Sequence, residues 1–174
     1  RVFEMLDYPI DIKSPDTPKA FPDGLLEVDF KSVGFGYEGR YELLSDFSLT
    51  LAKGKVTALV GHTGAGKSTV ANLLQRYYDV TSGSVSINGI DVREFDLLGL
   101  RKRIGVVAQD PFLFDGSVKD NLILAKEEAT EEELVAALKG ASAWEFVSSL
   151  PDKMDTRIGE RGIRLSMGEK QRLT

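Results

Sequence analysis

The strongest chemical signal in the chain is Gly61-His62-Thr63-Gly64-Ala65-Gly66-Lys67-Ser68, which fits the phosphate-loop pattern G-x-x-x-x-G-K-S/T. Backbone N–H groups converge on phosphate oxygens only where no side chain blocks the approach, hence the glycines. Lys67 is placed to reach β- and γ-phosphates as a point charge, and the Ser68 hydroxyl suits Mg²⁺. A helix beginning here adds its dipole to the same anion site. The residues expected around a nucleoside triphosphate are therefore Gly61, Thr63, Gly64, Ala65, Gly66, Lys67, Ser68 and Thr69. His62 falls where the pattern leaves the residue free and reads as an exposed loop residue.

Such a loop needs a strand leading in and a helix leading out. Val56 to Val60, headed by Gly54-Lys55, reads as a buried parallel strand. Val70, Leu73, Leu74 and Tyr77 then share a helix face, and Tyr77-Tyr78 is expected to pack on that helix. Upstream, Leu26, Val28 and Phe30 alternate, as do Phe47, Leu49 and Leu51. The turn Glu38-Gly39-Arg40 between them predicts antiparallel pairing. Val85 and Ile87 before Asn88-Gly89 give another strand and turn, and Ile104 to Ala108 reads as a second buried strand.

After Gln109 helices take over. Ser117 can cap a short helix carrying Val118, Leu122 and Ile123. Thr130 with Glu133 forms a capping box for a helix that Gly140 ends. Ser142 with Glu145 repeats the device ahead of Pro151, with Trp144, Val147 and Leu150 as a core-facing stripe. Met167 to Leu173 reads as the start of a further helix. At the other end, Val2 to Leu6 has a short helical pattern, and Pro9, Pro15, Pro18 and Pro22 mark a linker.

Composition narrows the chemistry. The 174 residues hold 22 Lys plus Arg against 27 Asp plus Glu, a net charge of −5, which argues against binding nucleic acid through a basic face. With 42% hydrophobic and 28% charged residues, the chain is expected to fold around a core. The absence of cysteine excludes disulfides and thiolate sites, and a single histidine leaves no two-histidine metal centre. No apolar run approaches the ~20 residues of a membrane span, and the start lacks a signal-peptide pattern. Asp96-Leu97-Leu98-Gly99 fits D-x-x-G, but no guanine-reading N-K-x-D accompanies it, so the match reads as coincidence. The acidic run from Glu127 to Glu133 reads as a solvated helix start. Because the chain opens at Arg1 and closes within helix-forming residues, it is expected to be a piece of a longer protein.

Further motifs occur in order: Val33-Gly34-Phe35-Gly36-Tyr37, Val106-Val107-Ala108-Gln109 with Asp110-Pro111-Phe112-Leu113-Phe114, Gly159-Glu160-Arg161-Gly162, and Leu165-Ser166-Met167-Gly168-Glu169. Together with the phosphate loop they resemble the nucleotide-binding domain of an ABC transporter, of the exporter type with fused membrane helices. Val2 to Asp7 looks like the end of the last membrane helix.

The resemblance implies a role for each motif. Tyr37 would stack on adenine, as a flat ring can on any base face. Gln109 would reach Mg²⁺ and the attacking water, making Lys67 and Gln109 the catalytic candidates and Ser68 and Gln109 the metal candidates. Ser166 and Gly168 would hold the γ-phosphate of ATP bound to a partner domain. The Gly159–Gly162 loop would touch the membrane domain. Met167 and Glu169 depart from the family signature LSGGQ, putting a side chain and a negative charge where backbone approaches nucleotide.

The expected fold is α/β, a P-loop NTPase core with an antiparallel β subdomain and a helical subdomain, its C-terminal core strands missing. Residues 1–22 would be linker, 23–108 the ATP-binding core, 109–165 the helical subdomain and 166–174 the start of the signature helix. The acidic Walker B strand that follows the signature in the family is not found, so the chain is expected to bind MgATP weakly without turning it over, and to leave apolar sheet edges uncovered. Expected cofactors are ATP and Mg²⁺. The expected partners are a second nucleotide-binding domain, identical or different, and a membrane domain, at the cytoplasmic face of a membrane and without nucleic acid. A soluble ABC-type ATPase and a non-hydrolysing nucleotide-binding fragment stay open as alternatives.

Overall fold

Alternating apolar residues build the sheet of the first unit. A computed structural model describes residues 11–39 and 41–174, and the chain divides into two units, Arg1–Gly105 and Val106–Thr174. In the first, β1 (Val28–Phe35), β2 (Leu44–Leu51), β3 (Ser82–Ile87) and β4 (Ile90–Asp91) lie in the order β2-β1-β3-β4. Every pairing is antiparallel. Val28 faces Leu51 and Phe30 faces Leu49, so the two alternating patterns share one register. The expected helix at Val2 to Leu6 and the first part of the linker lie outside the described residues, as does Arg40 of the expected turn.

The register of β1 slips against both neighbours after its first residues. Ser32 there adopts φ +45°, and opposite it Gly83 of β3 has φ +73°. A Cβ at Gly83 would lie 2.3 Å from the carbonyl oxygens of both Lys31 and Ser32. Only glycine lets the two backbones approach this closely at the bulge.

Phe30, Val33, Phe35, Val85 and Ile87 line the buried core together with Val70 and Leu73 of α1 (Lys67–Leu74). Leu100 of α2 (Leu97–Lys102) joins the same core. Asp96 caps α2, its Oδ2 accepting from Gly99 N at 2.7 Å. That bond gives the D-x-x-G match a structural purpose, since a short side chain must reach the amide three residues on.

At its far end α1 stops at Leu74, one turn short of the expected face, and Tyr77 lies beyond it. Arg101 of α2 donates from Nε to the Gln75 carbonyl at 3.1 Å and from Nη2 to the Arg76 carbonyl at 2.9 Å. Its guanidinium carbon lies 4.5 Å from the centre of the Tyr77 ring. A fixed cation thus meets orphan carbonyls at the negative end of the helix dipole.

Two expected strands are absent. Val56 to Val60 and Ile104 to Ala108 form no strand; Val56 and Val60 are 101% and 91% exposed, and Val106 and Val107 50% and 67%. A parallel-type strand needs paired neighbours and covered faces, and among the described residues no strand pairs with either segment. The expected uncovered sheet edges are therefore not what is seen: the two apolar segments are exposed without forming a sheet at all.

The second unit is helical: α3 (Val118–Leu122), α4 (Glu131–Gly140), α5 (Trp144–Ser149) and α6 (Met167–Leu173). The box at Thr130 with Glu133 forms as the spacing predicts, and Ser117 caps α3 as expected, with Asp120 completing a second box that the sequence reading did not include. Ser142 does not cap α5. It adopts φ +55° and gives its N–H to the Lys139 carbonyl at 3.0 Å, so it serves the end of α4, and α5 begins without a side-chain cap. Val147 is fully buried with Leu113, Val118, Leu134 and Leu138, and Trp144 and Leu150 pack partly buried against that core. No helix among the described residues is long and apolar enough to cross a membrane.

Candidate functional site

In the Gly61–Ser68 loop, residues 61–64 and Ser68 are exposed, whereas Gly66 is buried. Gly64 and Gly66 adopt φ +87° and +84°, the left-handed region that glycine enters without a Cβ clash. A Cβ at Gly66 would meet Leu44 Cδ2 at 2.9 Å, so the loop rests against β2 at that residue. A Cβ at Gly64 would find nothing within 4 Å. Gly66 then starts α1 with no side-chain cap and no acidic residue in the first turn. By contrast, α2, α3, α4 and α6 are all capped by side chains. The first-turn amides of α1 therefore keep their donors for an outside acceptor.

Lys67 folds back over the loop. Its Nζ donates to the carbonyls of Gly61 and His62, both at 2.8 Å. The charge sits at the loop itself, on the residues that would flank a polyphosphate. Ser68 and His62 are exposed, whereas Thr69 is buried. The Thr69 hydroxyl shares a 3.1 Å hydrogen bond with the Tyr37 hydroxyl, which joins the expected base-stacking residue to the phosphate-binding helix. The Tyr37 ring meets Phe35 and Tyr78 edge to face, with centroids 5.0 and 5.1 Å away.

Gln109, Ser166 and Gly168 belong to the second unit. Gln171 Nε2 of α6 donates to the Gln109 carbonyl at 3.4 Å, so the signature helix and Gln109 are neighbours within that unit. Ser166 caps α6, and Glu169 completes a capping box. Glu169 Oε2 accepts from the Ser166 N–H and from the Ser166 hydroxyl, both at 2.7 Å. Those bonds hold the Glu169 carboxyl below its ordinary range, the side-chain bond to Ser166 contributing most. Gly168 is exposed, with only Arg172 Nη1 3.8 Å from where a Cβ would stand.

Because the Glu169 pKa is depressed, its contribution to α6 is fully present at neutral pH and is lost as pH falls through the depressed value. Amide-exchange protection at Ser166 N–H is expected to persist through the ordinary glutamate range and vanish below it. Glu169→Gln should flatten that profile; an unchanged profile would assign the loss to another group.

In the sequence Glu169 stands out only as a departure from a signature, although S-x-x-E spacing is itself a capping-box signal. The sequence suggests that Tyr77-Tyr78 packs on the helix after the loop; the structure adds that Tyr78 meets the Phe35 and Tyr37 rings at the end of β1. No local pattern announces that pairing.

Residues 44–174 match the ABC transporter family. The chain belongs to that family. It is 44% identical over 177 residues to the putative multidrug export ATP-binding/permease protein YgaD of Bacillus subtilis, covering all of this chain and 30% of the relative. A second relative, the uncharacterized ABC transporter ATP-binding protein y4gM of Sinorhizobium fredii, is 42% identical over 173 residues, 99% of this chain and 30% of its own length. Among solved structures, a bacterial Atm1-family ABC exporter with ATP bound superposes with a TM-score of 0.92 at 38% identity, over 98% of this chain and 30% of that one. The chain thus spans about 30% of the length of the relatives it matches. Its α/β fold with an antiparallel sheet and a helical unit is the ABC ATPase fold.

Proposed function

We propose that this chain is the ATP-binding portion of an ABC exporter, holding MgATP at the phosphate loop and coupling its binding and hydrolysis to export across a membrane. The observation that carries the reading is the uncapped start of α1 under two left-handed glycines, with the Lys67 ammonium lying on the loop carbonyls. Its donors suit a polyphosphate, and the exposed Ser68 hydroxyl is a hard oxygen ligand of the kind Mg²⁺ takes.

Bound MgATP would supply the phosphoryl group and its own charge-neutralising ion. The loop amides and Lys67 would hold the phosphates, and the Ser68 hydroxyl would serve the metal. Tyr37 supports the base. Ser166 and Gly168 face the nucleotide of a second such domain, in a homo- or heterodimer at the cytoplasmic face of the membrane. The membrane domain would dock beside Gln109 and the Gly159–Gly162 loop.

Titrating the purified full-length protein with a fluorescent ATP analogue should give saturable binding that unlabelled ATP displaces and Mg²⁺ strengthens. No displaceable binding would overturn the reading. The two signature departures add a second test. The Ser166 hydroxyl is committed to Glu169, so Met167→Gly with Glu169→Gln should raise ATP turnover of the full-length protein. No gain would show that the native signature already closes fully on nucleotide.

A further inference from the structure

We propose that Tyr78 is a positioning residue for the base subsite, holding the Tyr37 ring in the plane against which a purine stacks. This rests on reading Tyr37 as the base-stacking residue. Tyr37 lies just past the end of β1, ahead of the Glu38–Gly39 turn, where the sheet no longer fixes a side chain. Three contacts restrain it instead. Its hydroxyl is tied to Thr69, which is buried on α1. Its ring packs against Phe35, fully within the core, at an interplanar angle of 84°. Tyr78 closes the remaining side at 88° to Tyr37 and 54° to Phe35.

The three rings make one cluster in which Tyr37 meets both neighbours edge to face, the arrangement their quadrupoles favour, while Phe35 and Tyr78 are tilted against each other. Two of its members have other duties: Phe35 builds the core and Tyr37 receives the base. Tyr78 is partly exposed and belongs to no core cluster, so its ring is free to act as the wall of the base subsite. Removing it would restore rotamer freedom to Tyr37, and a stacking ligand would then have to order that ring on binding.

Two ligands separate the base from the phosphates. ATP uses both subsites, whereas inorganic tripolyphosphate uses only the loop. In the full-length protein, Tyr78→Leu is expected to weaken ATP binding roughly three- to tenfold, to leave tripolyphosphate binding unchanged, and to keep the thermal midpoint of the parent. Tyr78→Phe, which retains the ring, should restore ATP affinity. Equal weakening of both ligands, or unchanged ATP affinity, would overturn the assignment of Tyr78. Tyr37→Ala separates this failure from failure of the underlying reading. If it too affects both ligands equally, Tyr37 is not the base platform; if it weakens ATP alone while Tyr78→Leu does nothing, only the role of Tyr78 falls.

Discussion

Lys67→Ala should weaken ATP binding by roughly a hundred- to ten-thousandfold while leaving the fold almost untouched. Each hydrogen bond from a charged donor contributes about 1.5–3 kcal/mol, and Lys67 is placed to make at least two to a polyphosphate. In the ligand-free loop the ammonium is held by the Gly61 and His62 carbonyls at 2.8 Å. Those carbonyls lie in an exposed loop, so water replaces the lost donor and the stability cost is small. Calorimetric titration and a thermal melt decide the matter together. Retained affinity would show that the loop amides alone carry the binding. A large fall in melting temperature would instead make Lys67 a brace of the loop.

Gly83→Ala should destabilise the protein by about 2–5 kcal/mol, without reference to any ligand. Left-handed backbone costs a non-glycine residue about 1–2 kcal/mol, and overpacking commonly adds about 1–3 kcal/mol. At Gly83 the obstacle is backbone, the Lys31 and Ser32 carbonyls, each 2.3 Å from a new Cβ, and backbone at a paired bulge cannot move aside as a flexible side chain can. Gly89→Ala is the matched control: its φ is +80° and nothing lies within 4 Å of a Cβ there. That variant should show only the backbone cost, about 1–2 kcal/mol. Urea unfolding of both would expose the difference, and equal losses would remove the bulge clash as the cause.

The parts of the molecule legible in its sequence are those that local chemistry dictates. A phosphate loop needs glycine where amides must approach an anion, and Gly64 and Gly66 hold left-handed conformations accordingly. Helix starts are readable at Ser117, from the cap residue alone, and at Thr130, where a cap and its reciprocal partner sit three residues apart. The same spacing misleads at Ser142, since the connection after α4 is so short that Ser142 is spent on ending one helix and cannot begin the next. Val56–Val60 and Ile104–Ala108 show a different boundary. An apolar run reports what a strand wants on its two faces, but not whether neighbours are present to pair with it. Tyr78 stays hidden because its ring partners come from another part of the chain.

The clamp at the far end of the phosphate-binding helix has a mechanical consequence. α1 is a stiff rod of 8 residues, about 12 Å long. One tip carries the amides left without a side-chain cap, and the other is gripped by Arg101 through two carbonyls and a stacked tyrosine. A rod held at its tail cannot recoil when charge arrives at its head. Under the proposed function the loop would work as an anvil, and the parts that move in response to the ligand would be those that come to meet it.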